Sequence, residues 1–569
     1  MEDSSRKDAL LGELLINKGL LTIDQLDLAL QEQKKTGGFI GTIITKLGFI
    51  KDEQLLPVLS EQLGFTYVKL GEIKVSPEVI KVVPAKFACH YRLIPLKKKD
   101  QVLTIAVSDP MNIQVLDDLR LLLDLEINPV LAAEKDILES IRKYYGVGAD
   151  TVEKMVAAPE GLQGLTTYQA GVEDLADMAE DASIVKFVNQ IIHQAVTDRA
   201  TDIHIEPFEN QLRIRYRVDG VLYDANVPEE IKHFHSSIVS RIKIMSNLDI
   251  AERRLPQDGR ILVRFEDRDL DLRISILPTP YGESIDIRIL VPSMLYNLEN
   301  LGISKNDLEI LEKLIKNPNG IIFVTGPTGS GKTTTLYACL NQINDAKKKI
   351  ITIEDPIEYQ IRGITQIQVQ PLIGLSFAQG LRSMLRHDPD VMMVGEVRDI
   401  ETAEITIRVA LTGHLVFSTV HTSDAAGGVV RLLDIGIEPY LISSSVECFV
   451  AQRLVRLVCP KCKQQTKLEP EVLRELQLPP EADSATMKFF SGRGCEFCKF
   501  TGYRGRTGIY EFLLMKDPVR ELILNRASAS EIRKQAIASG MHTLRQDGWG
   551  KVKSGLTTPA EVIRVTQEE

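Results

Sequence analysis

The sequence predicts a multidomain α/β protein whose C-terminal half is a nucleotide-binding fold built on a mostly parallel sheet. Three observations predict it. From about residue 297 short apolar strands alternate with helical stretches: Gly320–Thr325, Ile350–Ile353, Val391–Val394 and Leu415–Thr419. That alternation argues a parallel sheet covered on both faces. Between the first of these strands and the next helix stands Gly326-Pro327-Thr328-Gly329-Ser330-Gly331-Lys332-Thr333-Thr334, in the strand-to-helix context that a phosphate-binding loop requires. Upstream, the pattern changes several times, so other domains precede this one. At 569 residues and roughly 150 residues per domain, about four are expected.

The first element is a duplication. Leu11-Gly12 … Leu15-Ile16 … Gly19-Leu20-Leu21 … Leu26 … Leu30 … Gln33 returns 29 positions later as Ile40-Gly41 … Ile44 … Gly48-Phe49-Ile50 … Leu55 … Leu59 … Gln62. Each copy reads as a short helix ended by glycine, followed by a second helix that starts at Thr22 or Lys51-Asp52. Residues 1–62 are therefore expected to form a helical module. Residues 63–145 read as an α+β domain, with a strand at Val102–Val107 before Asp109-Pro110. Residues 146–183 carry Gly146, Gly148, Pro159, Gly161, Gly164 and an acidic run from Glu173 to Asp181, and read as a flexible linker. Residues 184–292 begin with a helix (Ile184–Thr197) and continue as alternating strands. In Gln211–Val218, Arg213, Arg215 and Arg217 share one face.

In the phosphate loop, glycines turn backbone N–H groups inward and the following helix adds its positive end. Lys332 reaches the β/γ oxygens and Thr333 offers a hydroxyl to Mg²⁺. The companion groups follow from the rule that ligands gather at the carboxyl ends of parallel strands. Glu354 and Glu396 end their strands on that side, with Asp355 beside Glu354 and Glu358 a turn further on, whereas Asp390 precedes its strand. By the same rule His421 is the candidate γ-phosphate sensor and His414 lies near the opposite end.

Composition narrows the rest. A hydrophobic fraction of 44% and a charged fraction of 26% are ordinary for globular protein. No apolar run reaches the ~18 residues of a membrane span, and the N-terminus lacks a secretory pattern. The chain is expected to be cytoplasmic, without direct membrane insertion. Its net charge of −10 and the lack of an aromatic-basic module count against a nucleic-acid translocase. Cys89, Cys339 and Cys448 read as small hydrophobes, the last two in apolar helical patterns. Cys459-x-x-Cys462 and Cys495-x-x-Cys498 have the spacing of a closed structural Zn²⁺ site. A reduced thiol set or redox pair is the alternative.

Four boxes give a specific resemblance: Gly326 to Tyr337, Thr352-Ile-Glu-Asp-Pro-Ile-Glu-Tyr359, Leu385 to Asp399, and Leu411 to Thr422. They resemble the Walker A, Asp, Walker B and His boxes of the secretion and type IV pilus ATPases. The likeness runs from about residue 184 to the C-terminus and takes in Ala200–Pro207 and Pro256–Arg260.

The resemblance implies a RecA-like domain of the additional-strand class at 293–569, with the zinc insertion at about 455–505, preceded by a PAS-like domain at 184–292. It implies a homohexamer that hydrolyses ATP, with each nucleotide between the ATPase domain and the preceding one. By matching positions Arg273 and Arg288 become the phosphate-facing arginines, with Arg386 a weaker candidate. The zinc insertion and Gly502–Ile509 are similar to the assembly branch, which implies a motor for pilus assembly. Such a motor lies peripheral to the inner membrane, acting with a platform protein and a cytoplasmic ring protein of the pilus machinery. Pseudopilus assembly in type II secretion is the alternative. The duplicated block resembles a cyclic-di-GMP-binding module through Gly12, Gly19, Gln33, Gly41, Gly48 and Gln62. Leu10 and Phe39 stand where its motifs open with Arg.

Overall fold

The computed structural model describes residues 11–36, 40–50, 52–108, 113–157, 175–265, 268–290, 297–466 and 488–567. Two compact units divide the chain. One comprises residues 1–263 with 272–289, and the other residues 264–271 with 290–569.

In the first unit the duplication appears as two helical hairpins: residues 11–17 with Ile23–Thr36, then Ile40–Lys46 with Asp52–Leu63. The first helix of each closes identically. Leu20 N–H bonds Leu15 O at 2.9 Å, and Phe49 N–H bonds Ile44 O at 3.2 Å, the reach-back bond of a Schellman end. Thr22 caps the second helix, its Oγ1 accepting from Gln25 N while Gln25 Oε1 accepts from Thr22 N. Leu10 and Phe39 lie outside the described residues.

The hairpins share a core with Leu131 and Ala133 of the next region. There β1 (Leu93–Lys99), β2 (Val102–Val107) and β3 (Glu126–Leu131) form one sheet. The segment read as a flexible linker is structured at its start. Ala149–Ala157 is a helix that buries Ala149, Val152 and Met155 and packs on helices Ala85–Tyr91 and Leu175–Thr197. Its three apolar contacts recur at helical spacing, but flanking glycines and acids mask so short a stripe. Residues 158–174 lie outside the described residues.

Six strands complete this region: β4 (Ala200–Pro207), β5 (Leu212–Val218), β6 (Val221–Asp224), β7 (Gln257–Phe265), β8 (Arg268–Thr279) and β9 (Gly282–Leu290), in order β6-β5-β4-β9-β8-β7. The arginine face of β5 pairs off against carboxylates: Arg213 with Asp224, Arg215 with Glu206 and Arg217 with Asp202.

The second unit is centred on a seven-stranded sheet. Its strands are β10 (Gly320–Thr325), β11 (Ile350–Glu354), β12 (Thr365–Gln368), β13 (Val391–Val394), β14 (Leu415–Val420), β15 (Val446–Val458) and β18 (Tyr503–Leu514). Their order is β12-β11-β13-β14-β10-β15-β18, with every pair parallel except β15·β18. Side chains leave β10 alternately: Ile321 and Phe323 enter one core, Ile322 and Val324 the other. Both faces are thus covered, as continuous apolar strands require. Cys448 lies on β15 and not on a helix; both it and Cys339 are fully buried. A short apolar run has no periodicity to separate the two states. β16 (Lys463–Thr466) and β17 (Phe489–Gly492) form a separate antiparallel pair.

Helix Pro559–Thr566 is fastened to β15 by a buried carboxylate. Glu561 accepts from Arg456 at 2.6 Å and from Arg564 at 2.9 Å. Burial alone would raise its pKa, but the two guanidiniums and the Arg456 backbone overcome this and hold it at about 2. Folding therefore gains from this carboxylate above the ordinary value of 4.5, and the gain is lost as pH falls toward 2. Glu561→Gln is expected to cost about 3 kcal/mol at pH 7 and less than half that at pH 3. Chemical denaturation at both pH values checks it.

Candidate nucleotide site and cysteine cluster

The phosphate loop is shaped by its neighbour β15. Gly326 has φ 149°, and a Cβ there would meet Gln452 O at 2.5 Å. Gly331 has φ 91°, and a Cβ there would meet Gln452 Nε2 at 2.8 Å. Side chains at either position would be strained and would collide with the strand. Helix Lys332–Ile343 opens on Gly331, so its free N–H groups and positive end face the loop. Gln452 also accepts from Thr335 Oγ1 at 2.8 Å, fixing the first turn. Ser330 Oγ is buried without a hydrogen-bond partner.

Lys332 Nζ donates to Gly326 O at 2.9 Å and Pro327 O at 3.1 Å, contacts that a phosphate would replace. Burial holds its pKa below the lysine range; Glu396 opposes this and Arg453 adds to it. Glu396 follows β13 and is buried. Its Oε1 pairs with Arg398 at 2.6 Å and its Oε2 lies 3.4 Å from His421 Nε2. His421 is held beside the loop because Thr422 N donates to Thr325 Oγ1 at 3.1 Å. Partial burial pushes the imidazole below the usual histidine range, helped by Lys332 and opposed by Glu396. The structure brings Lys332, Glu396 and His421 together.

Glu354 has hydrogen-bond partners of its own. It ends β11, is 3% exposed and receives three donors: the Tyr337 hydroxyl, Thr352 Oγ1 at 2.5 Å and Gln366 Nε2 at 3.1 Å. Burial raises its pKa, and the donors only partly offset that. Asp390 accepts from Lys349 N at 2.6 Å and His414 Nδ1 lies 3.0 Å from Val409 O; both sit at the amino ends of their strands. Arg386 bonds back to Arg382 O and Ser383 in its own neighbourhood. Arg273 and Arg288 belong to the first unit, on β8 and β9, where Arg288 pairs with Asp202 at 3.0 Å.

Arg453, Gln452, Arg398 and Tyr337 escape the sequence reading. Arg453 is buried and donates to Ser423 O at 3.2 Å, but an arginine inside an apolar strand carries no motif. Tyr337 had a signal: it lies four residues after Thr333, on the same helix face.

The four cysteines converge. Cys459 and Cys462 precede β16, Cys495 and Cys498 follow β17, and all four Sγ atoms lie within 4.8 Å of one another. Neighbouring sulfurs are 3.7 and 3.8 Å apart. A tetrahedron with Zn–S bonds of ~2.3 Å has edges of about 3.8 Å, whereas a disulfide needs about 2.05 Å. Cys495 N and Gly502 N both point at Cys498 Sγ, at 3.2 and 3.3 Å, as they would at a thiolate. The donor set fits a tetrahedral soft cation.

The profile of the family described as "Type II/IV secretion system protein" matches residues 177–564. The chain belongs to this family. It is a P-loop ATPase. A second profile, the MshEN domain, matches residues 63–151, the region following the duplicated hairpins. Among curated relatives, this secretion-family ATPase is 42% identical to the type IV pilus assembly ATPase PilB of Myxococcus xanthus, over 97% of this chain and 98% of that one. It is 40% identical to the type II secretion system protein E of Xanthomonas campestris, over the full length of both. A solved structure of MshE with cdg matches 24% of this ATPase and 98% of its own chain, at 32% identity and a TM-score of 0.23.

Proposed function

We propose that the chain is a cytoplasmic hexameric motor that hydrolyses ATP to drive type IV pilus assembly. It would act peripherally at the inner membrane through a platform protein and a cytoplasmic ring protein of the machinery. The end-to-end similarity to a pilus assembly ATPase, N-terminal region included, carries this reading. Gly326 to Thr334 would hold the phosphates, with Lys332 on the β/γ oxygens. Mg²⁺ fits the hard oxygen donors of Thr333 and Glu396, and supplies charge neutralisation on the phosphates when bound. His421 reads the γ-phosphate, and Glu354 serves as the water-activating base, a role suited to a buried carboxylate with raised proton affinity. Arg273 and Arg288 are the candidate guanidiniums for transition-state charge.

Deleting the gene should abolish pili and leave secreted enzymes unchanged. The full-length match to a type II secretion protein supports pseudopilus assembly as a second reading, and the opposite phenotype would select it. Light scattering with a non-hydrolysable ATP analogue should give six chains; a monomer would reject the ring.

Regulation by cyclic-di-GMP is the third part of the reading. The duplicated hairpins support it, with Gly12, Gly19, Gln33, Gly41, Gly48 and Gln62 as the contact positions, and the MshEN match covers the region that follows them, residues 63–151. Calorimetry on the full chain should show saturable binding at micromolar ligand. No heat at tens of micromolar would reject it.

A further inference from the structure

Glu354 is the least accessible acid of the proposed machinery, and what surrounds it is unusually complete. Its Oε2 takes the Tyr337 hydroxyl. Its Oε1 takes Thr352 Oγ1 and Gln366 Nε2. The Tyr337 oxygen in turn accepts from Glu358 N at 3.3 Å and from Gln366 Nε2 at 3.4 Å. Gln366 also donates to Tyr359 O at 3.1 Å and accepts from Ile361 N at 2.7 Å. Tyr337 is itself fully buried and packs edge-on against Tyr359. A phenol this deep in the core would ordinarily be a phenylalanine unless its hydroxyl had a fixed partner.

The positions of these donors matter as much as their number. Tyr337 sits on helix Lys332–Ile343, whose first turn carries Lys332 and Thr333. Thr333 and Tyr337 are four residues apart and so lie on one face, a turn from each other. Gln366 sits on β12, the strand paired with β11. The carboxylate is thus gripped from the phosphate-binding helix on one side and from the sheet edge on the other.

We propose that Tyr337, together with Gln366, is a positioning residue for Glu354: it links the phosphate-binding helix to the acid and fixes that acid's orientation and ionisation. This deepens the proposed nucleotide site and rests on Glu354 acting in hydrolysis. A shift of the helix when phosphate engages its first turn is transmitted through the phenol hydroxyl to the carboxylate. Every donor on Glu354 bonds the ionised form better than the protonated one, so removing one raises its proton affinity. The groups facing the carboxylate are Tyr337 from the helix, Thr352 on its own strand, Gln366 from β12 and Glu358 from the loop beyond β11. On the β13 side its neighbour is Gly395, with Phe377 behind. Glu358 is the one further charge among them, and it opposes ionisation.

The test uses steady-state ATPase assays of the full chain across pH, with wild type, Tyr337→Phe, Gln366→Leu and Glu354→Gln. Tyr337→Phe should lower kcat by about tenfold to a hundredfold, the value of one hydrogen bond to a charged group. It should leave the KM for ATP within about twofold and move the acidic limb of the kcat profile to higher pH. Gln366→Leu should act in the same direction, and it replaces Tyr337→Phe if that variant does not fold. A merely structural tyrosine would lower the melting temperature with the limb unmoved, which overturns the proposal. Glu354→Gln separates the two levels. If it stays active, the role of Glu354 falls and the proposal with it. If it is inactive while both other variants keep the wild-type profile, only the proposal falls.

Discussion

Glu396→Gln is expected to lower ATP turnover by at least about three orders of magnitude while nucleotide binding stays within about threefold. The substitution keeps the volume of a side chain buried beside Lys332 and His421, so the loop retains its shape and the phosphates their donors. It removes the carboxylate charge that faces the Lys332 ammonium and the His421 imidazole. A metal ion held as proposed would lose an anionic oxygen ligand there, and the imidazole loses the carboxylate that opposes its desolvation. Lys332→Ala should fail differently. Without the ammonium the phosphate oxygens face an unneutralised site, so binding itself should weaken by at least about tenfold. Fluorescent-nucleotide titration alongside phosphate release distinguishes the two. Equal loss of binding in both variants would show that Glu396 is structural, and wild-type turnover in Glu396→Gln would remove it from the chemistry.

These three residues were legible because their placement follows from chain direction alone. In a parallel sheet every strand delivers its carboxyl end to the same side, which sets Glu396 and His421 apart from Asp390 and His414. The glycines of the loop were legible as a motif, but the reason for them was not: Gln452 lies 120 or more residues away in sequence and abuts two of them only after folding. Arg453 is invisible for the same reason.

The Tyr337–Glu354–Gln366 network joins three elements through side chains that each have ordinary local roles, and no periodicity couples them. Helix Ala149–Ala157 is hidden among glycines and acids. Cys448 reads as helical in sequence because a fully buried strand lacks alternation. What sequence reads well is direction and period; what it reads poorly is contact between distant positions.

Chelating zinc, or replacing Cys459 by Ser, is expected to lower the melting temperature of the protein and to depress turnover, although no cysteine lies at the phosphate loop. The reason is where the four thiols are attached. Cys459 follows the last residue of β15, and Cys498 stands five residues before the start of β18. A metal there ties the ends of two antiparallel strands that pair over most of their length. β15 is the strand whose Gln452 abuts Gly326 and Gly331 and whose Arg453 lies near Lys332. Loosening the β15 end therefore reaches the nucleotide through one strand.

Without a cation the backbone N–H groups of Cys495 and Gly502 draw the Cys498 thiol down to about 7 against its burial, whereas burial pushes the Cys462 thiol up to about 12 and favours its neutral form. A divalent cation reverses that preference and releases protons as it binds. In small zinc domains such binding is worth about 10 kcal/mol or more; on a sheet already folded the share felt by the native state is smaller, but it remains among the largest single terms available. Native mass spectrometry should show one zinc per chain in the wild type and none in Cys459→Ser. A wild-type protein without zinc that keeps its melting temperature and turnover would reject the metal. A mild oxidant that closes a disulfide without altering either property would favour the redox pair, whose sulfurs must first approach from 3.7 Å to about 2.05 Å.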